Sequence, residues 1–85
     1  HFYDLIVQNE NASSPFKEIL DTKFTSLSQE RRLFLESISK RKNIDIFQGE
    51  DGKGSKCYVV FFLDERGTED CGIRLWISSQ KMILL

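Results

Sequence analysis

Apolar residues recur at helical spacing through the first half of this 85-residue chain and gather into short continuous runs in the second. In residues 1–8 (HFYDLIVQ), Phe2, Leu5 and Ile6 share a helical face, which predicts a short helix despite a composition rich in strand formers. Ser14-Pro15 predicts a helix start, with Ser as N-cap and Pro at the first helical position, where its missing N–H costs nothing. That helix turns Phe16, Ile19 and Leu20 inward and ends near Asp21-Thr22. The next begins at Ser26 or Ser28. Ser26 with Gln29 makes a capping box, whereas Ser28 as cap sets Glu30 in the first turn, where its charge suits the macrodipole. Leu27, Phe34, Leu35 and Ile38 form an apolar stripe with Arg31 falling between them, while Glu30, Arg32, Glu36 and Lys40 face outward. Asn43 is the expected stop.

Ile44-Asp45-Ile46-Phe47 reads as a short strand, followed by a loop with Gly49, Gly52 and Gly54 and then by the run 57–63 (CYVVFFL). An acidic turn over 64–70 leads into 71–77 (CGIRLWI), and 82–85 supply a last short strand. Helices first and a strand meander afterwards predict an α+β fold: one domain over 1–85, with a small antiparallel sheet of three to four strands and two or three helices packed on one face. Pairing Leu63 with Cys71 and Cys57 with Ile77 assigns Cys57, Val59, Phe61, Leu63, Ile73, Leu75 and Ile77 to the face under the helices. Tyr58, Val60, Phe62, Arg74 and Trp76 then occupy the opposite face, with Tyr58 across from Trp76. Two rings and an arginine on an open face make a platform on which unpaired bases stack. Cross-strand packing, or a second core face covered by the parent protein, explains the same pattern. A slip of one residue in one strand would undo this arrangement.

Composition modifies this picture in three ways. A hydrophobic fraction of 40%, with seven Phe, two Tyr and one Trp, suits a folded domain with one modest core. The net charge of −1 gives no global basic field of the kind a strong duplex binder needs. Charge is nevertheless uneven. Lys40, Arg41, Lys42, Lys53 and Lys56 face only Asp45, Glu50 and Asp51 between 40 and 56, whereas Asp64, Glu65, Glu69 and Asp70 are opposed only by Arg66. One basic and one acidic end of the sheet are therefore expected.

No apolar run is long enough for a membrane span, so no membrane contact is expected. The chain opens at His1 without Met and is expected to be a piece of a larger protein. In the hairpin above, Cys57 and Cys71 lie at opposite ends, roughly 20 Å apart at about 3.3 Å per residue, too far for a disulfide. Free buried thiols and an intracellular setting, nucleus or cytoplasm, are the expectation. Asn11-Ala12-Ser13 matches a glycosylation sequon, a triplet common by chance.

Candidate chemistry is sparse. Gly52-Lys53-Gly54-Ser55 does not complete a P-loop, because Phe47 stands where its first glycine must be and the loop feeds a strand rather than a helix N-terminus. The lone histidine is His1. No Cys/His or Ser/His/Asp set can be assembled, and no metal-ligand spacing occurs. A non-enzyme without cofactor or metal is expected.

Leu27-Ser28, Glu30-Arg31, the loop Gly52-Lys53-Gly54 and the strand Tyr58-Val59-Val60 together supply a recognisable grammar. Across 24–62, about half the chain, the sequence resembles the arginine-three-histidine domain, a small module that binds single-stranded nucleic acid, and most of all the versions carried by large RNA helicases. The resemblance implies weak binding of single strands, RNA in preference to DNA, with Arg31, Lys53, Lys56, Lys40, Arg41 and Lys42 on phosphates and Tyr58, Arg74 and Trp76 as further contacts. Two positions depart from the family pattern: Leu35 replaces its histidine and Cys57 its loop arginine, with Lys56 alongside. Those losses, with the net charge of −1, equally suit an interaction domain that keeps the fold and binds another part of its parent or a protein partner.

Overall fold

The structure, a computed structural model, describes residues 3–9, 13–41 and 43–85. Lys42, and Asn11 and Ala12 of the sequon, lie outside them. The elements follow in the order β1 (Tyr3–Asn9), α1 (Ser13–Lys23), α2 (Gln29–Arg41), β2 (Asn43–Glu50), β3 (Lys56–Leu63), β4 (Glu69–Trp76) and β5 (Met82–Leu84). The fold is α+β: an open antiparallel sheet in the order β1-β2-β3-β4-β5, with both helices on one face. Five strands and two helices stand against the three to four strands and two or three helices expected.

The N-terminal segment is a strand, not a helix. Tyr3–Asn9 pairs along most of β2, from Tyr3↔Gly49 to Asn9↔Ile44, with a bulge between Leu5 and Val7. A partner some forty residues away supplies the ladder that local spacing could not anticipate, so tertiary pairing outweighs the weak helical period.

Ser28 is the cap of α2, its Oγ accepting the Arg31 N–H at 3.2 Å. Ser26 is occupied elsewhere, its N–H donating to Gln80 Oε1. Leu27 and Leu35 reach the core, but Phe34 is 59% exposed and Leu33 is exposed beside it. The inward stripe of α2 is thus narrower than predicted. Arg32, expected outside, turns toward α1, where it pairs with Asp21 and donates to the Phe24 carbonyl.

The β3–β4 register is Cys57↔Trp76, Tyr58↔Leu75, Val59↔Arg74 and Val60↔Ile73, one residue away from the predicted pairing. Beyond the tight turn Leu63 opposes Glu69, while Phe62 opposes Cys71, and the irregularity between them resets the strand. One residue is enough to invert every side chain. The core therefore comprises Ile44 and Ile46, Tyr58, Val60 and Phe62, and Ile73 and Leu75, beneath Phe16, Leu20, Phe24, Leu27 and Leu35. Edge-to-face rings fix the layers, Phe16 on Phe62 and Phe24 on Tyr58, each with centroids 6.0 Å apart. Cys57, Val59, Phe61 and Leu63 fall on the other face. Neither cysteine is in a disulfide, as expected, yet only Cys57 is buried; Cys71 is exposed.

Candidate functional site

Both hairpin turns are built on one plan. Asp51 donates its N–H to the Ser55 carbonyl and accepts Gly54 N–H on its own, while its Oδ1 takes the N–H groups of Lys53 (2.8 Å) and Ser55 (3.0 Å). Asp64 repeats every contact with Thr68, Gly67 and Arg66. Gly54 and Gly67 sit at φ of 83° and 82°, which a side chain would resist. The shared signature Asp-x-x-Gly-Ser/Thr was present in the sequence at 51–55 and 64–68. It fixes the shape of the glycine loop: Asp51 takes the N–H groups of Lys53, Gly54 and Ser55, so those three are not offered to an anion, whereas the Lys53 side chain is exposed. These donors, with the Trp76 indole beside them, hold the Asp51 carboxyl below its ordinary range.

One end of the sheet collects three connections. Gln80, at φ 58°, donates from Nε2 to the carbonyls of Lys23 (2.9 Å) and Ile77 (2.6 Å) and accepts the Ser26 N–H on Oε1 (3.2 Å). Ile77 N–H donates to the Lys56 carbonyl. The helix connection, the β4–β5 turn and the start of β3 are thereby tied together. Arg31, in the first turn of α2, shares this end with Lys53 and Lys56, and all three are exposed. Sequence reasoning missed Gln80, whose role depends on contacts more than fifty residues distant.

A groove of about 410 Å³ opens at the same end, lined by Asp4, Gln48, Gly49, Glu50, Lys56, Cys57, Tyr58 and Ile77. Tyr58 and Ile77 give it an apolar floor. Glu50 and Lys56 stand directly across from each other on its rim.

The remaining predicted residues are dispersed. Tyr58 is 7% exposed beneath Phe24, so it cannot join Trp76 in an open platform. Arg74 and Trp76 lie on the opposite face, with the guanidinium carbon 5.6 Å from the indole centroid. Lys40 belongs to the far end of α2, which leads into Asn43, across from Leu63 and next to the acidic turn. Arg41 closes the helix there as well. The expected single basic end is therefore divided. Leu35 is 1% exposed, so the position of the family's histidine faces core rather than a ligand shared with Arg31. Cys57 is likewise buried.

The helix-free face carries Phe47 against Phe61, edge to face at 6.0 Å, together with Val59, Arg74 and Trp76. Among the described residues no cluster of His, Cys, Asp and Glu could hold a metal ion, and no helix is long and apolar enough to cross a membrane. No protein-family model, curated protein or solved structure matches this chain.

Proposed function

We propose that this chain is a non-catalytic module that binds single-stranded nucleic acid weakly, RNA in preference to DNA, at the end of the sheet where α2 begins. One observation carries the reading: Lys56 lines the groove, and Arg31 and Lys53, which the family resemblance also singles out, are exposed on segments that start or turn at the same end of the sheet. Phosphates would lie on these cations. Asp4 and Glu50 repel phosphate and, with the Gln48 carbonyl, accept hydrogen bonds, which suits the amino groups of bases over the apolar floor. Lys40 stands nine residues beyond Arg31, about 14 Å along the helix axis. That exceeds a screening length of about 10 Å at 0.1 M salt, so it adds little to contact affinity. Such a module would work in the nucleus or cytoplasm.

The test is fluorescence anisotropy of labelled single-stranded RNA and DNA at low and moderate salt. Three phosphate contacts predict a log–log salt slope of about −2, at about −0.7 per contact. Replacing Arg31, Lys53 and Lys56 together by Ala should abolish both binding and slope. Absence of binding at tens of micromolar protein in low salt would refute the proposal.

A second reading, an interaction domain, has its own support in the helix-free face. Leu5, Ile83 and Leu85 are exposed beside the aromatic residues there, and contiguous apolar surface of this kind marks contact with a partner.

A further inference from the structure

We infer that the helix-free face is a homodimer interface, on which a second copy of this chain packs sheet against sheet. The smallest Cα extent of the molecule is 19 Å, room for one helix layer and one sheet and no third layer. Among the described residues the face is apolar through Phe47, Val59, Phe61, Ile83 and Leu85; two charges lie within it on either side of the central strand, and Glu69 stands at its margin opposite Leu63. Asp45 belongs to β2 and Arg74 to β4, flanking β3. The Asp45 Oδ1 is buried with no hydrogen-bond partner among the described residues, an arrangement that costs free energy until a donor arrives.

A twofold axis running along β3 supplies that donor. It lays β2 of each copy over β4 of the other, as an isologous contact requires. Each Asp45 then faces the other copy's Gly72, where no side chain intervenes. Arg74 stands two residues along that same strand, about 7 Å away, within reach of a guanidinium. Phe47 meets the stacked Arg74–Trp76 pair of the opposite copy. A nucleic acid would instead bring phosphate toward Asp45. The five strands span about 19 Å between the outermost two, a footprint at the lower end of stable interfaces, so a dimer that dissociates on dilution is expected.

Sedimentation equilibrium from about 10 to about 500 µM protein tests this. The wild-type chain should pass from monomer to dimer, and Phe47→Glu should weaken the dimer about tenfold or more. Asp45→Arg and Arg74→Asp should each be monomeric alone, yet form a one-to-one dimer when mixed, because the two reversed charges then complement each other. Circular dichroism of each variant checks that it is folded, and recovery on mixing excludes misfolding as the cause. A wild-type chain monomeric throughout the range, or two charge-reversal chains that stay monomeric when mixed, would overturn the inference. So would Phe47 and Phe61 signals that move with added oligonucleotide rather than with protein concentration.

Discussion

Phe61 lies flat across Gly72 on the neighbouring strand: a Cβ placed on Gly72 would stand 2.7 Å from Cδ1 of the ring. The close approach holds the ring down beside Phe47 and keeps this part of the helix-free face smooth. Gly72→Ala must lift the ring. Because Phe61 is only half-buried it can swing outward, so the expected cost is about 1 kcal/mol rather than a collapse of the core. Urea denaturation measures it, and the Phe61 ring resonances should shift while those of Phe62 stay in place.

Leu35→His places a histidine where the arginine-three-histidine pattern has one. At 1% exposure the imidazole would replace core, leaving a cavity and a polar ring without water. A loss of about 3 kcal/mol in stability is expected, with no gain in affinity for single strands. Tighter binding by this variant would show that position 35 can reach a ligand.

Gln80 joins the helix connection to the sheet through three hydrogen bonds while holding a left-handed backbone. Gln80→Gly relieves the backbone conformation yet removes the ties, and should lower stability by about 1–2 kcal/mol. Amide exchange should rise at Ser26 and Ile77 before it does at Val60. Nucleic-acid affinity should fall too, since the segment leading into α2 would no longer be tied to the start of β3.

Asp51 in the β2–β3 turn and Asp21 on α1 predict a response to acid. Asp51 is held below its ordinary value chiefly by the Lys53 and Ser55 N–H groups, and Asp21 by its bond to Lys17 and by Arg32. A carboxyl with a lowered folded-state pKa adds stability that is complete above its unfolded value and is lost as pH falls through the folded one. Stability should be flat from pH 7 to 5 on account of these groups and decline below about pH 4. Asp51→Asn should flatten part of that decline in thermal melts. Gly54→Ala and Gly67→Ala should each cost about 1 kcal/mol at any pH, because φ is positive at both.

Much of the fold was legible because its signals are local. Ser28 caps α2 as expected, while Ser14-Pro15 falls inside the first turn of a helix that already begins at Ser13, so Ser14 is not its cap; glycines close turns, and apolar runs make strands. What failed was set at a distance. The strand nature of Tyr3–Asn9 depends on β2, beyond two helices. The β3–β4 register depends on an irregularity beside a turn, and that single residue moved Tyr58 from the expected platform into the core. Phe34 has the right period but sits on the flank of α2, where no partner element meets it. For the candidate site, Arg31, Lys53 and Lys56 were readable as residue types, whereas their common end and the separation of Lys40 followed only from the path of α2.

Chemical-shift mapping of isotopically labelled protein against a short single-stranded RNA at low salt tests the central claim most directly. Shifts should cluster at Arg31, Gln48, Lys53 and Lys56 and fade as salt rises, leaving Phe47, Phe61 and Lys40 unmoved. Shifts centred on Phe47 and Phe61, or none at saturating RNA, would contradict the account.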